Sequence, residues 1–221
     1  VNGVMLKGLP FEDPQELVAL SRVNLAEGPS RLIGRIHDYR DLAARQSTFE
    51  HLAGMEIVPA NVSPPGQDPE FLNAASVTAN TFPLLGVAPA RGRTFSAAEE
   101  APGGSSVVIV GYRFWQERLE AAPDVVGSAL RVNGSQTTVI GVMPEGFEFP
   151  FNQQLWLPLQ VDIDAIGRSD GPNLLMVGRL ADGVTMAQGQ GDLERIMLRL
   201  GEEYPDTNEG MTMIMGLYVR E

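Results

Sequence analysis

No cysteine occurs among the 221 residues. Disulfides, thiol catalysis, iron–sulfur clusters and Cys-ligated zinc are therefore excluded. Histidine is nearly absent: with only His37 and His51, a three-His metal site cannot be assembled. Cationic side chains are few, 16 against 28 acidic ones, which leaves a formal net charge of −12. That balance argues against a nucleic-acid partner, because phosphate contact needs clustered Lys and Arg. It also disfavours a surface that clings to anionic lipid headgroups. No stretch approaches the roughly 18–20 consecutive apolar residues of a membrane helix, and the longest runs, such as Val107-Val108-Ile109-Val110, are strand-sized. A secretory signal is not visible. The chain opens on Val1 rather than Met, as a processed chain or an excised fragment would, and as it stands it is expected to be soluble. The G-x-S-x-G, H-E-x-x-H and P-loop patterns are missing.

What is present is an ordinary globular composition, 43% hydrophobic and 20% charged, enough for one or two domains with a real core. The opening 14 residues read as extended. Residues 17–23 read as a first strand, followed by a Gly28-Pro29-Ser30 break. A helix is expected from Asp38, an N-cap with Asp41 three residues on. Tyr39, Leu42, Ala43, Phe49, Leu52 and Ala53 would share one face, and Gly54 would end it. Residues 55–62, interrupted by Pro59, and residues 71–77 read as an antiparallel hairpin. Residues 78–86 form a helical turn with Phe82, Leu84 and Leu85 inward. Residues 107–110 are an apolar strand and residues 112–119 a short helix. Asn133-Gly134 between two strand-like runs is the clearest hairpin signature. Residues 147–156 are an irregular, ring-packed segment and residues 162–172 a polar loop. At the far end, residues 174–180 are a strand. Thr185 with Gln188 is a capping box, and Leu193, Ile196, Met197, Leu200 and Tyr204 form a helix stripe that Pro205 ends. Residues 211–219 are a last strand.

The shape that emerges is α+β, with a strand–helix–strand unit at each end and a β-rich insertion between them. The boundaries fall at residues 1–79 with 171–221 for the flanking part and 80–170 for the insertion. The first and last strands should then lie in one layer.

Candidates for chemistry are few. His37 and His51 bracket the expected helix, roughly 20 Å apart along its axis, and read as surface or capping residues. Gly189-Gln190-Gly191 sits inside a helix pattern, without the strand that a nucleotide loop requires. Asp162, Asp164 and Asp170 share a loop but not the spacing of a calcium loop. Glu99-Glu100 reads as a solvated turn. Glu145 and Glu148, among phenylalanines, suggest a glycosidase pair only if one is buried. The rings from Phe147 to Trp156 either close the core of the insertion or line a groove for an apolar ligand.

A resemblance adds to this reading. It runs from Val77-Thr78-Ala79-Asn80-Thr81-Phe82-Pro83-Leu84-Leu85-Gly86-Val87 through Pro89, Gly92-Arg93-Thr94-Phe95 and Glu99-Glu100. It continues through Val107-Val108-Ile109-Val110, Phe114-Trp115, Gly127 and Val132-Asn133-Gly134. It closes with Val139-Ile140-Gly141-Val142-Met143-Pro144, Gly146-Phe147, Phe149-Pro150 and Leu155-Trp156-Leu157-Pro158. Together these resemble the periplasmic core domain of MacB-like (FtsX-type) ABC transporter permeases. Asp38-Tyr39-Arg40-Asp41-Leu42 and Phe49-Glu50-His51-Leu52-Ala53 resemble the large duplicated variety. The opening from Val1 to Phe11 resembles the stretch after that family's first membrane helix. Gly111 departs from the pattern, standing where a Ser often precedes the helix.

The resemblance implies a two-part fold, a porter of two α/β units and a smaller β-rich sabre. It implies a non-catalytic domain without cofactor on the outer, periplasmic or extracellular face of a bacterial inner (plasma) membrane protein. Mechanical coupling and docking of substrate or partner during export would be its work. The implied partners are the permease's membrane helices, a dimer mate, a cytoplasmic ATPase acting indirectly and a periplasmic adaptor. The signature residues are Asn80, Phe82, Gly86, Gly92, Arg93, Phe95, Trp115, Asn133, Gly134, Gly141, Pro144, Phe147 and Trp156. Their glycines answer backbone needs and their rings belong to the core, so the expected site is structural, with no catalytic, cofactor or metal residue. The alternatives are a module that binds an apolar ligand between the two parts and a secreted hydrolase.

Overall fold

A computed structural model describes residues 17–28, 31–64 and 66–218. The extended opening, the Pro29-Ser30 break and Val219 lie outside the described residues. The chain begins with β1 (Leu17–Asn24), two short strands β2 (Arg31–Leu32) and β3 (Gly34–Arg35), and α1 (Ile36–Arg45). Then follow β4 (Phe49–Ser63), β5 (Glu70–Val77), α2 (Thr81–Leu85), β6 (Arg91–Gly92) and α3 (Ala97–Glu100). Next come β7 (Val107–Val110), α4 (Tyr112–Arg118), β8 (Ala129–Val132), β9 (Ser135–Val142) and β10 (Leu155–Pro158). β11 (Asn173–Leu180), α5 (Met186–Glu203), α6 (Pro205–Asn208) and β12 (Met211–Leu217) complete it.

Two compact units form, one from the described residues up to Gly54 and from Ile163 onward, the other from Met55 to Asp162. The sequence reading drew the divisions later, at 79/80 and 170/171. The physical reason is strand pairing: β5 bonds both β4 and β10, so the β4–β5 hairpin belongs with the insertion.

In the first unit the strand order is β12-β1-β11-β4. The α1 connection joins β1 to β4 with β11 between them, and α5 joins β11 to β12 with β1 between them. The two β–α–β units thus interleave in the split arrangement. β1 pairs antiparallel with β12, Val18 opposite Leu217 and Asn24 opposite Met211. It also pairs antiparallel with β11. Leu193, Ile196, Met197 and Leu200 of α5 are fully buried, as the stripe predicts. The Thr185/Gln188 capping box is formed, with Gln188 N–H donating to Thr185 Oγ1 at 3.3 Å.

Two local expectations fail here. α1 begins at Ile36, so Asp38 lies within its first turn rather than at the N-cap. It also stops at Arg45. Gln46 Oε1 accepts from Thr48 N–H (3.0 Å) and Phe49 N–H (2.8 Å) and turns the chain out of the helix. Phe49, Leu52 and Ala53 are therefore strand residues. The run from Leu52 to Met55 is buried without alternation, as in a central strand covered on both faces.

In the second unit the pairings run β4-β5-β10-β7-β9, and β8 pairs with both β9 and β4. The ladder therefore closes on itself as a ring of six strands. β5/β10 and β7/β9 are parallel; the other pairings of the ring are antiparallel. Period-2 alternation sends one face of each strand inward. Ala60, Val62, Ala74, Val108, Val110, Leu130, Val132, Val139 and Leu155 fill the interior together with Phe114 and Trp115 of α4. Pro59 does not break β4. Asn61 bonds the Asn133 side of the strand through its N–H and C=O (both 2.8 Å). Pro59, two residues away, points its absent N–H the same way, so the ladder to β5 loses nothing. The Asn133-Gly134 hairpin forms as predicted, with φ of 50° and 82°.

Candidate functional site

The signature residues do not form one site. Phe82 on α2 is the hub of a ring cluster. Phe95, Phe147 and Trp156 each lie 6.0 Å from its ring centroid, and Phe147 is 5.4 Å from Trp156. Trp156 Nε1 donates to Phe149 C=O at 2.8 Å, so the indole is buried without an orphaned donor. Asn80 precedes α2 and its Oδ1 accepts from Thr78 Oγ1 at 2.8 Å, while Gly86 closes that helix. Pro144 C=O receives Phe147 N–H and fixes the last ring's backbone. Gly92 and Gly141 face each other where β6 meets β9. A Cβ on Gly92, at φ +74°, would sit 2.1 Å from Ile140 O, and one on Gly141 would sit 2.6 Å from Arg93 O. Trp115 stands apart in the ring of six strands, its Nε1 donating to Ala122 C=O at 2.9 Å and Arg91 4.7 Å above its ring. Asn133-Gly134 lies at the hairpin tip. Of the aromatic residues 147–156, Phe147, Phe149 and Trp156 are buried in the core, while Phe151 is exposed.

Glu99-Glu100 is not the solvated turn that the sequence suggests. Glu99 accepts Ser96 N–H (2.8 Å) and Oγ (3.0 Å) in a capping box, and Arg93 pairs with both its oxygens (2.7 and 2.9 Å). The Arg93 guanidinium, opposed by burial and helped by Ser96, holds the Glu99 carboxyl at about 2. Glu100 accepts Ala79 N–H at 2.6 Å. Burial raises its carboxyl above the usual range, partly offset by that bond. Glu100 ties α3 to the chain just before α2, and Glu99 ties it to Arg93 just after β6.

The residues that the sequence reading missed are in the first unit. Arg22 on β1 and Asp38 on α1 are both buried, with Nε 3.1 Å from Oδ2 but not aligned as a hydrogen bond. Asp38 Oδ1 accepts from Asn208 Nδ2 at 2.8 Å and lies 3.4 Å from Arg168. Arg168 donates to Asp41 at 2.6 Å and stacks 3.8 Å over the Tyr204 ring. Arg45 lies 3.6 Å from Asp41 and forks onto Glu203, both contacts 2.8 Å. Arg22 also bonds Thr207 C=O. Charges alternate through six side chains: Arg22, Asp38, Arg168, Asp41, Arg45, Glu203. Burial pushes the Arg22 guanidinium below its ordinary value and Asp38 pulls it back up. The bond from Arg45 holds Glu203 below the usual carboxylate range.

This network braces β1, α1, the return loop and α6 against one another. Asp38 and Asp41 three residues apart, with Arg45 four further on, were its only local trace; Arg22 and Arg168 lie far off in sequence. Arg40 takes the carboxylate of Asp164 at 2.6 Å, so that loop carboxylate is engaged by a cation of the protein itself. His37, expected at the surface, is buried in α1, whose earlier start turns residues 37, 38, 41 and 42 inward. His51 lies on β4, not at a helix end. Glu145 and Glu148 are exposed, unlike the buried acid that a glycosidase needs. Among the described residues no three or more His, Asp or Glu gather to hold a metal ion. Nor, among those residues, is any helix long and apolar enough to cross a membrane.

The first unit is thus a split β–α–β arrangement that carries a large β-rich insertion with a core signature. The family model for the MacB-like periplasmic core domain matches residues 11–196. The chain belongs to that family. It is an extracytoplasmic domain of a MacB-like ABC transporter permease. No curated protein matches it. Solved structures share the MacB-like fold at low identity. A domain assigned to a permease of Porphyromonas gingivalis has a TM-score of 0.70 at 14% identity, over 95% of this chain and 94% of that one. The periplasmic region of MacB from Actinobacillus actinomycetemcomitans gives 0.64 at 14%, over 91% and 89%. The extracellular domain of the noncanonic ABC-type transporter YknZ from Gram-positive bacteria gives 0.62 at 14%, over 90% and 99%.

Proposed function

We propose that this MacB-like domain is a non-catalytic element that relays movement and docks substrate or partner during export. The observation that carries the reading is the pairing of β1 with β12, in which Val18 stands opposite Leu217. The described chain enters and leaves the first unit side by side, on neighbouring strands. A displacement applied to both is taken up by one strand pair, and Arg22 on β1 passes it into the alternating charge network and α1. A brace of this kind suits transmission, since buried ion pairs resist separation once formed. The carboxylates of the network each face a guanidinium, which leaves none of them poised as a general base.

The second unit, with its closed ladder, supplies a firm surface for docking. In the resting permease we assign the partners to the protein's own membrane helices, a dimer mate, a cytoplasmic ATPase reached through those helices, and a periplasmic adaptor. The porter-like role falls to the first unit and the sabre-like role to the second.

The test uses the intact permease. Arg168→Gln, which keeps a hydrogen-bonding amide but removes the charge, should lower export while ATP hydrolysis continues. Unchanged export from a variant whose brace is demonstrably loosened, by faster amide exchange in α1, would overturn the relay. The isolated domain should turn over no ester, peptide or glycoside; turnover abolished by one carboxylate substitution would overturn the non-catalytic reading.

A further inference from the structure

The Gly189-Gln190-Gly191 stretch has no part in the reading above, yet it meets β12 in a specific way. Tyr218 N–H bonds Leu17 C=O at 2.9 Å, and by alternation the even residues of β12 face β1 while the odd ones face outward. Two outward groups are taken by one side chain. Gln190 Nε2 donates to Met213 C=O at 3.0 Å, and Gln190 Oε1 accepts Met215 N–H at 3.0 Å. A C=O and an N–H flanking one residue are what a parallel neighbouring strand would use. Glu194, one turn on, accepts from the same Nε2 at 2.9 Å and holds the amide in place. Gly189 lets the helix come this close: a Cβ there would lie 2.8 Å from Met215 Cε and 2.9 Å from Leu180 Cδ2.

Among the described strands β12 is the outer one of its sheet, and its sequence is Met-Thr-Met-Ile-Met-Gly-Leu. It has neither the charges nor the proline by which exposed edges usually resist pairing. We infer that Gln190 is an edge guard, a surrogate strand residue that blocks β12 from pairing with the β12 of a second copy of this chain. A second copy is the fitting occupant for two reasons. Identical edges meeting antiparallel about a two-fold axis satisfy each other. In a chain of net charge −12, an uncharged strand is where two copies approach without repulsion.

The test compares the 221-residue chain with Gln190→Ala, Gln190→Leu and Gln190→Ala/Leu217→Lys, by sedimentation velocity and by amide exchange at Met215. Leucine preserves bulk and helix propensity, so pairing by that variant is not a loss of fold. The wild type should remain monomeric and protected. At concentrations where they are monomeric both single variants should exchange Met215 N–H about tenfold faster, the factor expected for one hydrogen bond; at higher concentration they should dimerise and regain that protection. Lysine at the exposed Leu217 should abolish the dimers and leave exchange fast at every concentration. Single variants that stay monomeric over a wide concentration range, or dimers indifferent to the lysine, would overturn the guard.

Discussion

The two units solve the same problem, the unpaired strand edge, in opposite ways. The second closes its ladder, so that β8 joins β9 back to β4 and the six strands of the ring leave one another no open side. In the first, the described strands end at β12, and a helix side chain covers part of that edge. Their interiors differ in kind as well. The ring is filled by aliphatic side chains and two aromatic rings of α4, and the second unit holds a separate ring cluster around Phe82. The open unit has an apolar α5 face but places Arg22, Asp38 and Asn208 in its interior. A closed ring can rely on non-directional apolar burial. An open sheet whose helices and return loop must stay in register gains from directional contacts.

That contrast can be broken experimentally, since amide exchange reads the two units separately. The largest effect is expected from Asp38→Ala, which strands the Arg22 guanidinium in the interior. Losing one partner of a buried pair costs about 3–5 kcal/mol. Exchange should accelerate in β1, α1 and α6 while the ring of six strands stays protected; uniform loss would erase the distinction. Phe82→Ala is the counterpart in the second unit. Removal of a fully buried ring costs about 3–5 kcal/mol, and here α2 and β10 should lose protection first in a denaturant titration.

Gly92→Ala sharpens the comparison within the ring's margin. The new Cβ would be driven into Ile140 O at a backbone angle that L side chains rarely adopt. A loss of about 1–3 kcal/mol is expected, read as a lower thermal midpoint with β6 detached from β9. The smallest effect concerns pH. Glu99 titrates at about 2 in the folded protein against 4.5 ordinarily. Its contribution is therefore present in full above about 4.5 and is lost as pH falls towards about 2. Arg93 is largely exposed, so solvent screening reduces it to about 1–2 kcal/mol. Glu99→Gln should flatten that part of the stability–pH curve and leave the neutral limb lower.

Much of the architecture was legible in the sequence. Asn133-Gly134 needed positive φ twice, Thr185 with Gln188 could only begin a helix, and the stripe from Leu193 to Leu200 could only pack one face. These signals are local, and local chemistry fixed them. The helix expected through Ala53 failed because Phe49, Leu52 and Ala53 fit a helical face as well as a buried strand, and Gln46 decided between them. The division between units was misplaced because hairpin membership depends on what β5 pairs with 80 residues later in the chain. The signature rings are buried, but their separation into the Phe82 cluster and the Trp115 interior was not visible in the sequence.

By itself the sequence excluded cysteine chemistry, marked the Asn133-Gly134 turn and the Thr185/Gln188 cap, and carried the family's motifs. Only the tertiary structure decided that Arg22, Asp38 and Arg168 meet, that β8 closes a ring, and that Gln190 occupies a strand edge. Each of those contacts joins residues far apart in the chain. Its free energy comes from desolvation and alignment that exist only once both segments are in place, so no local pattern records it.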